Sequence, residues 1–174
     1  MSALRDELSQ IAGPAQTSSD AALLELMSAD IWTRGVAPGI VVAPANADEL
    51  ARIVAVAARH NAPVLPRGGG MSYTAGYAAD RHGAVLIDLR RMNRILEIDA
   101  EAMTVRVEAG VTWKDLYEAL KPRGLRTPFW GPLSGISSTI GGGLSQTSIS
   151  PWRCTSARAL PAFDSRCRMR EACA

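Results

Sequence analysis

The first 153 residues contain no cysteine; all three, Cys154, Cys167 and Cys173, lie in the last twenty-one. None has CxxC spacing, so neither a disulfide framework nor a zinc ribbon is built into the body of the chain. Aromatic residues are scarce at 5% while apolar residues reach 47%, so the core is aliphatic. No run of eighteen uncharged apolar residues occurs, so no membrane span is expected. The N-terminus, Met1-Ser-Ala-Leu-Arg-Asp-Glu7, has no apolar segment of the secretory kind. The expected location is cytoplasmic. A basic face is missing too. Residues 1–143 carry 14 Lys and Arg against 15 Asp and Glu, and the excess positive charge of the chain comes from five arginines after Ser150. Without a basic patch interleaved with aromatics, nucleic acid is not an expected partner.

What is present is patterned. Residues 2–11 and 20–29 read as short helices parted by Gly13-Pro14, the second with Leu23, Leu26 and Met27 at helical spacing. Gly39-Ile-Val-Val-Ala43 reads as a strand stopped by Pro44. Asn46 caps a helix whose first turn carries Asp48 and Glu49 and whose apolar face is Leu50, Ile53, Val54 and Ala57. Asn61 ends it, and Val64-Leu65 is the next strand. Strand, helix and strand over about 25 residues make a βαβ unit and predict a parallel sheet. Ala84-Val-Leu-Ile-Asp88 is apolar without alternation, as for a strand buried on both faces. The pattern then changes. Arg94–Ile98 and Met103–Val107 form an antiparallel hairpin, and Thr112, with Asp115 three residues on, caps a helix bearing Leu116, Ala119 and Leu120 and ending at Pro122 and Gly124.

The sharpest local feature is Pro66-Arg-Gly-Gly-Gly-Met-Ser72, placed directly after a strand. Binding a phosphate with backbone N–H groups requires close approach and positive φ, hence glycine, and consecutive amides in such a turn make an anion-binding nest. Ser72 adds a hydroxyl, and Arg67 a charge unless it points to solvent. The string is neither GxxxxGK[ST] nor GxGxxG, and a second cluster, Gly141-Gly-Gly143, does not match them either. A flexible connector is the bland alternative for three glycines.

Taken as an ordered set, several blocks resemble one family. They are Val42-Ala-Pro44, Pro63-Val-Leu-Pro-Arg-Gly-Gly-Gly-Met-Ser72, Val85-Leu-Ile-Asp-Leu-Arg-Arg-Met-Asn93, Val105-Arg-Val-Glu-Ala-Gly110 and Thr139-Ile-Gly-Gly-Gly-Leu-Ser145. Together they resemble the FAD-binding domain of the vanillyl-alcohol oxidase and p-cresol methylhydroxylase type, in its glycolate-oxidase-subunit and D-lactate-dehydrogenase branch. The resemblance covers roughly residues 30–150. It implies an α+β fold with a small parallel βαβ subdomain and an incomplete antiparallel second one. It implies FAD as cofactor, with Arg67, Gly68, Gly69, Gly70, Met71 and Ser72 around the pyrophosphate. Thr139, Ile140, Gly141 and Gly142 would form a second loop near pyrophosphate and flavin. Gly110 and Pro44 would lie near the adenosine end, though one could equally be a turn glycine and the other a strand stop. Where covalent members carry a flavin-linking histidine this chain has Met71, so non-covalent FAD is implied. His60 and His82 do not match; His60 suits a helix C-terminus.

The activity implied for the parent protein is oxidation of a 2-hydroxy acid or alcohol, by hydride transfer to the flavin. No catalytic base is assigned and no metal is expected. The chain divides on this reading into N-terminal helices (1–35), the FAD-binding part (36–150) and a tail (151–174) outside the family pattern. The tail has no glycine and no apolar period, as an out-of-frame reading would give, and is expected to be disordered. A truncated, inactive remnant and a flavin-binding subunit completed by another chain are the alternatives.

Overall fold

The structure is a computed structural model. It describes residues 2–127, 135–145, 164–168 and 170–171, the last two stretches by backbone alone. The chain divides into two compact units, 1–91 and 92–174.

The first unit holds α1 (Ser2–Ala12), β1 (Thr17–Ser18), α2 (Ala21–Met27), β2 (Ile40–Val42), α3 (Ala47–Arg59), β3 (Val64–Arg67) and β4 (Val85–Asp88). Its sheet has the order β1-β2-β4-β3. Strands β2 and β3 both run parallel to β4, with Ile40 and Val64 each opposite Val85. This is the parallel βαβ arrangement expected. Strand β4 is buried along its whole length, as its unbroken apolar run requires. Pro66 is tolerated inside β3 because β3 is an edge strand, where a missing N–H costs no ladder bond. The sheet has one strand that the sequence reading omitted. Thr17–Ser18 pairs antiparallel with Val41–Val42, so the N-terminal helices share this unit. Two residues are too short a run for any periodicity to register.

The helices follow their caps. Asn46 Oδ1 accepts from Glu49 N at 2.9 Å while Glu49 Oε2 accepts from Ala45 N at 2.8 Å, so a first-turn amide and the amide just before the cap are both satisfied. Asn61, at φ 50°, turns the chain out of α3. The buried face of α3 is Leu50, Ile53, Val56 and Ala57, while Val54 is 38% exposed. Three of the four expected positions are buried; the fourth is Val56 and not Val54, because the buried arc centres between Ile53 and Ala57. In α2, similarly, Met27 is buried and Leu26 exposed. His60 closes α3 and lies 2.7 Å from Glu7 Oε1, with Arg59 on the other carboxylate oxygen, so both fasten α1. Hydrogen bonds first from His60 and then from Arg59 hold the Glu7 carboxyl below its ordinary range.

The second unit holds β5 (Ile95–Asp99), β6 (Thr104–Glu108), α4 (Trp113–Leu120), β7 (Leu125–Arg126), α5 (Ile140–Ser145), β8 (Asp164–Arg168) and β9 (Arg170–Glu171). Strands β5 and β6 form the expected antiparallel hairpin. Thr112 Oγ1 accepts from Asp115 N at 3.1 Å and starts α4. The core gathers Val105, Val107, Val111, Trp113, Leu116, Leu120, Leu125 and Ile140. Within the stretch expected to be a disordered tail, the backbone of Asp164–Arg168 runs antiparallel to Thr104–Glu108, and Arg170–Glu171 pairs with β7. A hairpin edge carries a row of unpaired N–H and C=O groups and accepts any extended segment that reaches it. No described helix is long and apolar enough to cross a membrane.

Candidate functional site

In an open parallel sheet the carboxyl ends of the strands form the edge where ligands bind. At that edge β2 runs into Pro44, β3 into Gly68–Ser72 and β4 into Leu89–Arg91. Pro44 is buried between β2 and the cap of α3. Asp88 holds Arg90 through both carboxylate oxygens, and Arg91 donates to the Ala43 carbonyl at 2.6 Å.

The glycine loop has its one positive φ at Gly70, +75°, directly after a residue of ordinary φ. That change of sign is what brings successive N–H groups to one side of a turn. Among the described residues, the amides of Gly69, Gly70 and Met71 meet no acceptor. Arg67 folds back over the loop. A Cβ on Gly70 would lie 2.7 Å from Arg67 Cζ, so a side chain there would have to displace the guanidinium, and at φ +75° its own backbone would be strained. The guanidinium stacks 5.2 Å from the centre of the Tyr77 ring, and Arg67 Nε is buried without an acceptor. Arg67 therefore faces the loop and not solvent. The Ser72 hydroxyl lies 3.3 Å from Thr74 Oγ1 and accepts from Thr74 N at 3.2 Å.

The loop is laced to residues 28–36. Ile31 N donates to Ser72 O at 3.1 Å, and Val36 N donates to Ala79 O at 2.9 Å. Asp30 is the knot: Oδ1 accepts from Trp32 N at 2.9 Å and Thr33 N at 2.6 Å, and Oδ2 accepts from Ala75 N at 2.8 Å. Burial pushes the Asp30 carboxyl up, but the amides of Thr33, Trp32 and Ala75 together outweigh it and leave the carboxyl below its ordinary range. A carboxylate with a depressed folded pKa stabilises the fold above its unfolded value, and that stability disappears as pH falls through the folded value. Acidification is thus expected to loosen this lacing. Protection of the Ala75 amide, its exchange relative to the intrinsic rate at each pH, should fall at low pH, and Asp30→Asn should remove that fall. A variant whose Ala75 protection keeps the wild-type pH profile would contradict it.

The other predicted residues belong to the second unit and behave differently. The Ile140 side chain is fully buried in the core, and its amide donates to Val111 O at 2.8 Å. The amide of Gly141 donates to Ala109 O at 3.0 Å and that of Gly142 to Thr139 Oγ1 at 3.3 Å. Thr139 is buried beside Thr112. Three of these four amides are therefore engaged within the protein. Gly110 is buried, its amide on Met92 O at 2.8 Å, and its φ is not positive. Sequence reasoning missed Tyr77 and Asp30. The only available signal was a tyrosine just beyond the loop in a chain with three.

A glycine turn with positive φ at Gly70, covered by a guanidinium and set at the carboxyl edge of a parallel sheet, has the backbone form of an anion-binding turn. The FAD binding domain family matches residues 38–159, past the boundary expected at 150. The chain is 35% identical over 146 residues to the glycolate oxidase subunit GlcD of Bacillus subtilis (strain 168), covering 83% of this chain and 31% of that one. It is 33% identical to a D-2-hydroxyglutarate dehydrogenase of Pseudomonas putida, over 80% of this chain and 14% of that one. Among solved structures, alkyldihydroxyacetonephosphate synthase superposes with a TM-score of 0.81 at 19% identity, covering 98% of this chain and 40% of that one. For p-cresol methylhydroxylase the TM-score is 0.63 at 21% identity, over 70% and 24%. The chain belongs to the FAD binding domain family, with the fold of the p-cresol methylhydroxylase type, and its cofactor is FAD. It spans less than a third of the length of these two curated relatives.

Proposed function

We propose that the Arg67–Ser72 loop receives the pyrophosphate of a non-covalently held FAD. We further propose that the chain is the cofactor-binding part of an oxidoreductase acting on a 2-hydroxy acid or related alcohol. The observation that carries the reading is the loop itself: amides of Gly69, Gly70 and Met71 without acceptors, beside a positive-φ glycine covered by the Arg67 guanidinium. When bound, FAD supplies the two-electron redox chemistry, and the protein supplies placement and electrostatics. Here the loop amides would hold phosphate oxygens and Arg67 would offset their charge. Pro44, at the same strand edge, would border the nucleotide. Thr139, Ile140, Gly141, Gly142 and Gly110 would contribute mainly by packing, since the amides of the last four are engaged. The hydroxy-acid substrate is supported by the relatives' names: a glycolate oxidase subunit and a D-2-hydroxyglutarate dehydrogenase.

The experiment is titration of the purified chain with FAD, followed by flavin fluorescence. Saturable quenching, competed by ADP, is expected; no quenching at any FAD concentration would refute the reading. Met71 stands where a flavin-linking histidine would be, and a thioether forms no such N-linked adduct. Acid precipitation of the loaded protein is therefore expected to leave all flavin in the supernatant. Flavin that stays in the washed pellet would show a covalent bond.

A further inference from the structure

Tyr77 lies five residues past the glycine loop and is 5% exposed. Its hydroxyl donates to the Gly70 carbonyl at 2.8 Å and also reaches the Ala29 carbonyl at 3.2 Å. Its ring carries the Arg67 guanidinium. One side chain thus touches the positive-φ glycine, the cation above it and the segment that laces the loop in place. We propose that Tyr77 is the positioning residue of the phosphate loop, fixing the direction of the Met71 amide before any dinucleotide arrives.

The argument is covalent geometry. The Gly70 carbonyl and the Met71 N–H share one planar trans peptide, in which C=O and N–H point opposite ways. Holding the carbonyl inward, on Tyr77, turns the Met71 N–H outward. Without that hydrogen bond the peptide plane is held less firmly, because on its Gly70 side it turns about ψ where no Cβ stands in the way. The ring does a second job. A guanidinium over an aromatic face is attracted by the ring quadrupole, more so where water is excluded. It keeps the Arg67 charge over the loop without a carboxylate, which would repel a phosphate. Burial pushes the Tyr77 hydroxyl above its ordinary pKa, so it remains a donor at neutral pH. The loop is then preorganised, and binding does not have to include the cost of ordering it.

This inference rests on the loop's being the pyrophosphate site, and the test separates the two. Tyr77→Phe, which keeps the ring and loses the hydroxyl, is compared with the unaltered chain by FAD titration and thermal melting. Phosphorus NMR of FAD at saturation completes the comparison. Tyr77→Phe is expected to bind FAD about tenfold more weakly, the size of one lost hydrogen bond. The pyrophosphate resonances should also shift. Tyr77→Leu, which removes the platform as well, should bind more weakly still. FAD affinity within about twofold of the unaltered chain, or unshifted resonances at saturation, would overturn the assignment, since a tyrosine that merely fastens the fold would move the melting temperature alone. If the unaltered chain takes up no FAD, the functional reading fails by itself. Exchange of the Ile31 amide, which holds Ser72 O, then decides whether Tyr77 sets the loop: faster in Tyr77→Phe supports it, unchanged rejects it.

Discussion

Replacing Gly70 with valine is expected to weaken FAD binding by at least about thirtyfold, or about 2 kcal/mol. Two costs combine. An L-residue held in the left-handed region loses roughly 1–2 kcal/mol, and a β-branched one sits at the upper end. The new Cβ would also lie 2.7 Å from Arg67 Cζ, so the guanidinium must leave its place above the loop. Moving it would give up its stacking on Tyr77. Gly83 provides the control. It too has positive φ, +82°, but a Cβ there meets nothing within 4 Å. Gly83→Val should therefore show the backbone strain as a small fall in melting temperature while leaving FAD affinity unchanged. Fluorescence titration of both variants beside the unaltered chain reads the difference. If Gly70→Val binds FAD within about threefold of the unaltered chain, or if both variants lose affinity alike, the loop is not the phosphate cradle.

The choice of Gly70 over its neighbours marks the limit of what the sequence could resolve. Three consecutive glycines after a strand mark a turn, but they do not say which one takes positive φ. That is decided by where the Arg67 side chain returns, and an arginine's four side-chain torsions leave no trace in a string of letters. Strands β2, β3 and β4 and helix α3 were legible because each has a cap or a breaker at its ends and an apolar core run. The rotation of the α3 face, which buries Val56 and exposes Val54, was not, since it depends on the elements packed against the helix, α1 among them. Strand β1 was hidden for a plainer reason: two residues, Thr17 and Ser18, join a sheet because an edge is available, not because their own pattern demands it. Tyr77 escaped for the same reason as the Arg67 contact. Its contacts join its own loop to Ala29, forty-eight residues away.

The second glycine cluster separates a residue needed for packing from one needed for a ligand, and Gly141→Val puts that to the test. A Cβ on Gly141 would lie 2.7 Å from Ala109 Cβ and 2.8 Å from Ala109 O, against 3.3 Å from a rotatable hydroxyl at Gly142. Ala109 cannot yield, because its carbonyl accepts the Gly141 amide at 3.0 Å, and its neighbour Gly110 is tied to Met92 O at 2.8 Å. Helix α5 would have to lift instead. That would pull Ile140 out of its seat against Trp113 and Leu116 and break its bond to Val111 O at 2.8 Å. Overpacking of this kind costs about 1–3 kcal/mol, and losing part of the Ile140 contact adds to it. The better helix propensity of a residue with a side chain returns less than about 1 kcal/mol. The net, about 3 kcal/mol, lowers the melting temperature by roughly 6–12 °C for a chain of this size. Gly142→Ala should fall by no more than about 3 °C, because Thr139 Oγ1 can turn aside. FAD affinity of the folded fraction is the deciding measurement. It is expected to be unchanged in Gly142→Ala, since that amide already donates to Thr139 Oγ1 and has little to offer a phosphate. A Gly142→Ala variant that melts normally yet binds FAD about tenfold more weakly would make this cluster a ligand loop and return the amides of Thr139, Ile140, Gly141 and Gly142 to the binding site.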